Sequence, residues 1–240
     1  MAYEELKESV FEANLQLVRS GLVILTWGNA SAVDRDAGVV AIKPSGVEYA
    51  TLTSDDIVIV SLASGAIIEG DLCASSDTPT HLVLYREFEF MGAITHTHST
   101  CATAWAQACR EIPCLGTTHA DFAAGAVPVT RLMRREEIEG DYEANTGKVV
   151  AECLRLPEHE GSAPPAALVA GHGPFTWGAT AAEAVENALI LEEIARMALH
   201  TLAVNPEIKP IGKVLHEKHW SRKHGPGSYY GQSKEPPASD

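Results

Sequence analysis

The chain has no Cys-x-x-Cys spacing, and its five cysteines (Cys73, Cys101, Cys109, Cys114, Cys153) make an odd count. A thiolate metal site and a disulfide framework are both argued against. Cys101, with apolar neighbours, reads as a small core side chain rather than a nucleophile. No run reaches the roughly 18 apolar residues of a spanning helix. No basic region precedes an apolar stretch around Glu4, Glu5, Lys7 and Glu8, so a cytoplasmic protein away from membranes is predicted. Positive charge is scarce too, with 18 basic residues against 32 acidic ones and a formal charge of -14. Nucleic acid and anionic membranes are therefore poor partners, although locally clustered basic residues still suit a small anion. There is no internal repeat. No Gly-x-Gly-x-x-Gly joins a strand to a helix, so a Rossmann domain fits poorly.

What is present is an ordinary globular balance: 240 residues, 45% hydrophobic and 21% charged, enough for one core. A single domain over 1–232 is expected, followed by a disordered polar tail, 233–240. Residues 3–20 carry apolar positions at helical spacing and stop at Gly21. Short β-branched runs at Val23–Thr26, Val39–Ile42, Ile57–Leu62 and Ala66–Ile68 predict an antiparallel meander. A helix begins near Asp77 or Thr78, with Pro79 in its first turn. A buried strand leads into His96, and Ser99 is placed to cap a helix over 100–108. Residues 112–130 read as short strands and a loop, 134–154 as helical stretches, and 157–165, with three prolines, as a surface loop. Ala166–Ala170 reads as another buried strand, and 180–202 as the longest amphipathic helix. These elements predict an α/β three-layer fold, with a central, mostly antiparallel sheet flanked by helices.

The chemistry begins at His96 and His98. On an extended backbone residues i and i+2 face one way, and two imidazoles in register repel when protonated but share a divalent cation when neutral. A third ligand is needed, and His172, between Gly171 and Gly173 after a buried strand, is the best candidate. Taken alone it reads equally as a loop histidine. Asp77 is either the cap of its helix or a fourth ligand. Anion cradles are offered by Ser75 and Ser76 before a helix N-terminus, by Lys43, Ser45 and Gly46, and by a tight turn at Gly28 and Asn29. Asp121, in an apolar loop, is expected to have its pKa raised by desolvation toward a useful range for acid-base work. Tyr229 and Tyr230, on a glycine-rich tail after the basic run Lys218–His224, are placed to deliver a phenol to a site, including a neighbouring subunit's.

The segments TWGNAS (26–31), IKPSGV (42–47), SSDTPTH (75–81), HTHS (96–99), GTTHAD (116–121), HGPFTWG (172–178) and KHGPGSYYGQ (223–232) occur together and in order. On them, residues 3–232 resemble the L-ribulose-5-phosphate 4-epimerases of the class II aldolase and epimerase superfamily. The resemblance implies zinc, or another divalent metal, held by His96, His98, His172 and Asp77. It implies a sugar phosphate held by Gly28, Asn29, Ser45, Gly46, Ser75 and Ser76 with Lys43 nearby, and proton exchange by Asp121 and Tyr230. His219 and Arg222 resemble residues that reach a neighbouring subunit's site in a homotetramer, and Thr117 and Glu143 are further site candidates. The implied reaction inverts C4 of a ketopentose 5-phosphate. Because the C4 hydrogen is not α to the C2 carbonyl, the feasible route is retro-aldol cleavage of C3–C4, rotation of the aldehyde and re-addition to its other face. Two alternatives share the fold: a class II aldolase acting on a ketose 1-phosphate, and a non-catalytic aldolase-like module. In the aldolases a Glu acts as base where this chain has Asp77, and the non-catalytic modules tend to lose metal ligands. Both contrasts favour the epimerase.

Overall fold

The computed structural model describes residues 3–156, 163–224 and 228–229. Tyr230, the expected tail and most of the proline-containing loop lie outside them. Helix α1 (Glu4–Arg19) leads into strands β1 (Gly28–Asp34), β2 (Val39–Ile42), β3 (Val58–Ser61) and β4 (Ile67–Glu69). Helix α2 (Thr78–Glu87), strand β5 (Ala93–Thr97) and helices α3 (Thr100–Gln107), α4 (Thr117–Ala120), α5 (Arg135–Glu139) and α6 (Tyr142–Leu154) follow. Strands β6 (Ala166–Leu168) and β7 (Pro174–Gly178) then precede the long α7 (Ala181–Val204) and α8 (Lys213–His224). The strands form one seven-stranded sheet, ordered β4-β3-β2-β1-β5-β7-β6. Each pairing between these neighbours is antiparallel.

The pleat sorts side chains into two cores. Val39 and Ala41 of β2, Ala30 and Ala32 of β1 and Ala93 of β5 pack with α1 and α7. Their alternates Val40 and Ile94 pack with α2, α6 and Phe175 of β7 on the opposite face. Period-2 side-chain direction thus produces the three layers, each buried Val, Leu or Ile contributing about 1.5–3 kcal/mol. Asn14 pins the first layer to the sheet: its Oδ1 accepts from Ala30 N at 2.9 Å, and its Nδ2 donates to Val10 O at 2.8 Å. Both bonds are buried, so the polar side chain is satisfied where water does not reach it.

Four local expectations are corrected. Val23–Thr26 is not a strand: Leu25 has a φ of +55° and is 71% exposed, a left-handed turn conformation that no strand accommodates. The first strand starts instead at Gly28, so Gly28 and Asn29 are paired to Thr97 and His96 of β5 rather than forming a separate turn. Residues 112–130 include a helical turn, α4, that propensity did not disclose, and the segment PFTWG forms β7 despite its leading proline and closing glycine. Ser99 makes no side-chain cap for α3. Glu192 of α7 takes that role, accepting from Cys101 N at 2.9 Å and Ala102 N at 2.9 Å. A carboxylate beside the free amides of a helix N-terminus is the stronger acceptor.

Candidate active site

Pairing sets the centre. His96 is in β5, and its parity matches that of Ile94, so its ring projects to the α2/α6 face. His98 lies just past the strand, and the two Nε2 atoms come within 3.1 Å. The third imidazole arrives on a tight turn between β6 and β7, in which His172 N donates to Val169 O at 2.9 Å and Val169 N to Gly173 O at 2.9 Å. Gly173 is needed there, because a Cβ would stand 2.9 Å from Thr97 O. Nitrogen atoms of His96, His98 and His172 all lie within 4.8 Å of one another.

The donor set fits a divalent metal. His96 Nδ1 is 2.9 Å from Pro174 O, so this nitrogen carries the proton, leaving the Nε2 lone pair to face His98. Burial pushes His96 down to about 3 and lowers His98 and His172 as well. At neutral pH all three rings are neutral, and three imidazole nitrogens brought this close form a donor set suited to a divalent cation. His172 Nδ1 is buried with no partner among the described residues.

Asp77 precedes α2 but makes no side-chain cap. Its carboxylate turns inward, where Oδ2 accepts from Asn29 Nδ2 at 2.6 Å. Burial works to raise its pKa, and the neighbouring His96, His81 and His172 rings with the Asn29 bond hold it below the usual range. Beneath it a buried relay joins His81 Nδ1 to Ser31 Oγ at 2.7 Å, and that hydroxyl to Tyr85 at 2.7 Å. Burial drives His81 down to about 4, keeping the relay neutral at pH 7.

The anion cradles converge. Backbone bonds from Ser45 N to Cys73 O (2.9 Å) and from Ser75 N to Lys43 O (3.1 Å) lay the turn after β2 beside the segment before α2. Lys43 is buried, donating to Pro44 O at 3.2 Å and Val47 O at 2.6 Å with its charge over the Tyr49 ring. Asn29, Lys43, Ser45, Gly46, Ser75 and Ser76 thus line one cavity of about 590 Å³. Gly28, Asp77 and the three histidines line it too, together with Glu143. Tyr142, which sequence reasoning missed, stands beside Glu143 with its ring 6.4 Å from that of His172. Its adjacency to Glu143 was the available signal.

Thr117, Asp121, His219 and Arg222 are not brought to this cavity; among the described residues its wall does not include them. They meet where α4 packs on α8. Arg222 grips Asp121 with Nε to Oδ1 at 3.0 Å and Nη2 to Oδ2 at 2.5 Å, and His219 Nδ1 lies 3.0 Å from Oδ1. This corrects the expected raised pKa. Burial does act upward, but the bonds from Arg222 and His219 outweigh it, and the carboxyl sits below its ordinary value.

A three-imidazole cavity on an antiparallel three-layer sheet defines the class: the chain belongs to the class II aldolase and adducin N-terminal domain family, whose profile matches residues 8–199. Within that class it is 52% identical over 229 residues to L-ribulose-5-phosphate 4-epimerase UlaF of Salmonella paratyphi B, covering 95% of this chain and 99% of that protein. An L-fuculose 1-phosphate aldolase structure shares the fold with a TM-score of 0.76 at 24% identity, over 91% of this chain and 95% of the other. The L-fuculose-1-phosphate aldolase of Thermus thermophilus aligns with a TM-score of 0.66 at 27% identity, over 86% and 100%.

Proposed function

We propose that this chain is a zinc-dependent epimerase interconverting L-ribulose 5-phosphate and D-xylulose 5-phosphate through cleavage and re-formation of C3–C4. The observation that carries the reading is the convergence of three neutral imidazoles and a phosphate-sized hydroxyl and amide cradle in one cavity. His96, His98, His172 and Asp77 would hold the metal. When bound, it supplies Lewis-acid charge to the oxygens of the cleaved ketose.

The remaining work falls to the chain. Asn29, Ser45, Gly46, Ser75, Ser76 and Lys43 hold the phosphate, so that the aldehyde fragment, glycolaldehyde phosphate, rotates without leaving. In the cleavage direction a base takes the C4 hydroxyl proton, the C4 oxygen becomes a carbonyl, and the C3–C4 electron pair stays on C3 as an enediolate. Re-addition to the opposite face returns a proton to the new C4 oxygen. Asp121 and Tyr230 exchange these protons from opposite sides, Asp121 being ionised at neutral pH through its pairing with Arg222.

Because Asp121 sits apart from the cavity of its own chain, this reading pairs each cavity with α4 and α8 of a neighbouring copy in a homotetramer. Trp27 at the cavity wall and the adjoining Ile24 and Leu25 are 54%, 62% and 71% exposed, an apolar rim suited to that contact.

Metal-loaded enzyme incubated with L-ribulose 5-phosphate is expected to yield D-xylulose 5-phosphate. Net release of glycolaldehyde phosphate without that product would instead make it an aldolase. Burial brings Lys43 down to about 8, so its charge is present below that pH and lost above it. KM for the phosphorylated ketose should rise as pH passes about 8. Lys43→Met should remove that inflection and raise KM at pH 7 by roughly 10- to 100-fold, as for a lost charge-assisted hydrogen bond. Steady-state kinetics on either side of that inflection checks both.

A further inference from the structure

We propose that Tyr142 donates a hydrogen bond to the C1 hydroxyl of the ketose phosphate and so selects the ketoses that the cavity accepts. The inference rests on the epimerase reading and extends it to the end of the substrate that the phosphate cradle does not touch.

The sheet order supplies the direction. The cavity wall runs from the turn after β2, across Asn29 of β1 and His96 of β5, to His172 ahead of β7. Neighbouring strands are about 4.8 Å apart, so the phosphate cradle and the far wall are separated by several strand spacings with the imidazoles between them. A five-carbon chain held by its C5 phosphate at the β1–β2 end carries its carbonyl region over the imidazoles. Its C1 terminus then reaches the His172 side.

Tyr142 stands on that side, in the first turn of α6, with its ring tilted 34° to His172. Its phenol is half-buried beside Thr146, and burial raises it above its ordinary value, so it carries a proton at every pH at which the enzyme would work. A half-buried phenol supplies an apolar wall and one donor, which suits recognition of a single terminal hydroxyl. Glu143, its neighbour, is anchored through its backbone carbonyl, which accepts from Thr80 Oγ1 at 2.6 Å. That bond fixes the start of α6 against α2 and holds the phenol in place.

The test compares two ligands that differ only at C1, D-xylulose 5-phosphate and 1-deoxy-D-xylulose 5-phosphate. Each is titrated calorimetrically into metal-loaded wild type and Tyr142→Phe, and the variant's metal content and circular dichroism are matched to wild type. Wild type is expected to prefer the hydroxylated ketose by about 10-fold. Tyr142→Phe should abolish the preference by weakening that ligand alone, and its KM for L-ribulose 5-phosphate should rise about as much while kcat changes little. A preference that survives in Tyr142→Phe, or equal weakening of both ligands, overturns the proposal while leaving the epimerase reading intact. Wild type that binds neither ketose overturns both together.

Discussion

His96→Asn is expected to leave the cavity without stoichiometric metal and to slow epimerisation by roughly 10³-fold or more. A Lewis-acidic cation is worth several kcal/mol in the transition state, and each ~1.36 kcal/mol is a factor of ten. The substitution is severe because His96 is at the centre: its Nδ1 is oriented by Pro174 O, its ring stacks on Phe175 at 4.2 Å, and its Nε2 faces His98. An asparagine amide is shorter and does not reach the carbonyl and the metal position together. Metal analysis of purified protein, alongside initial rates, reads both effects. Wild type stripped by a chelator should lose activity to the same degree and regain it with zinc, whereas the variant should not. Stoichiometric metal in His96→Asn with a near-normal rate would remove this residue from the centre.

The second large effect is expected at Asp121 and Tyr230, the pair proposed to exchange protons. Asp121→Asn and Tyr230→Phe should each slow the reaction by about 10²- to 10⁴-fold with metal still bound. For Asp121 the structure adds a conformational readout. Its carboxylate ties α4 to α8 through Arg222 and His219, and its folded pKa is lowered. A depressed carboxylate pKa stabilises the docked form fully above the unfolded value of about 3.9, and that contribution is lost as pH falls through the folded value. Amide exchange in α8 should therefore accelerate on acidification below about pH 4. In Asp121→Asn it should be faster already at pH 7 and no longer respond to acid through this group. A near-normal rate in either variant would remove that residue from proton transfer.

Local pattern carried much of this architecture. The β-branched runs of β2, β3 and β4, the proline-led α2 and the long α7 are all visible because period and capping residues act within a few positions. The histidine pair was readable for the same reason, and His172 because glycines flank it. What escaped the sequence depends on partners far along the chain. Glu192 caps α3 from 91 residues away, and Arg222 reverses the pKa shift expected for Asp121 from 101 residues away. Neither partner leaves a local signature. Strand β7 went unassigned because Pro174 and Gly178 weaken the local strand signal, whereas its pairing with β5 and β6 depends on residues elsewhere in the chain. The inward turn of Asp77 was equally undecidable, since a cap and a ligand occupy the same position before a helix.

The pleat that separates Ala93 from Ile94 has a consequence for how this protein tolerates change. Strand parity acts as a reading frame: inserting or deleting one residue between Ala93 and His96 would swing the imidazole from the α2/α6 side to the α7 side. Such a change substitutes no residue of the chain, yet it would carry His96 away from His98 and His172, toward the side where Thr95 meets Thr176, and leave a neighbour such as Thr95 or Thr97 at its former position. Substitutions around β5 can accumulate one at a time, whereas its length upstream of His96 is fixed to the residue.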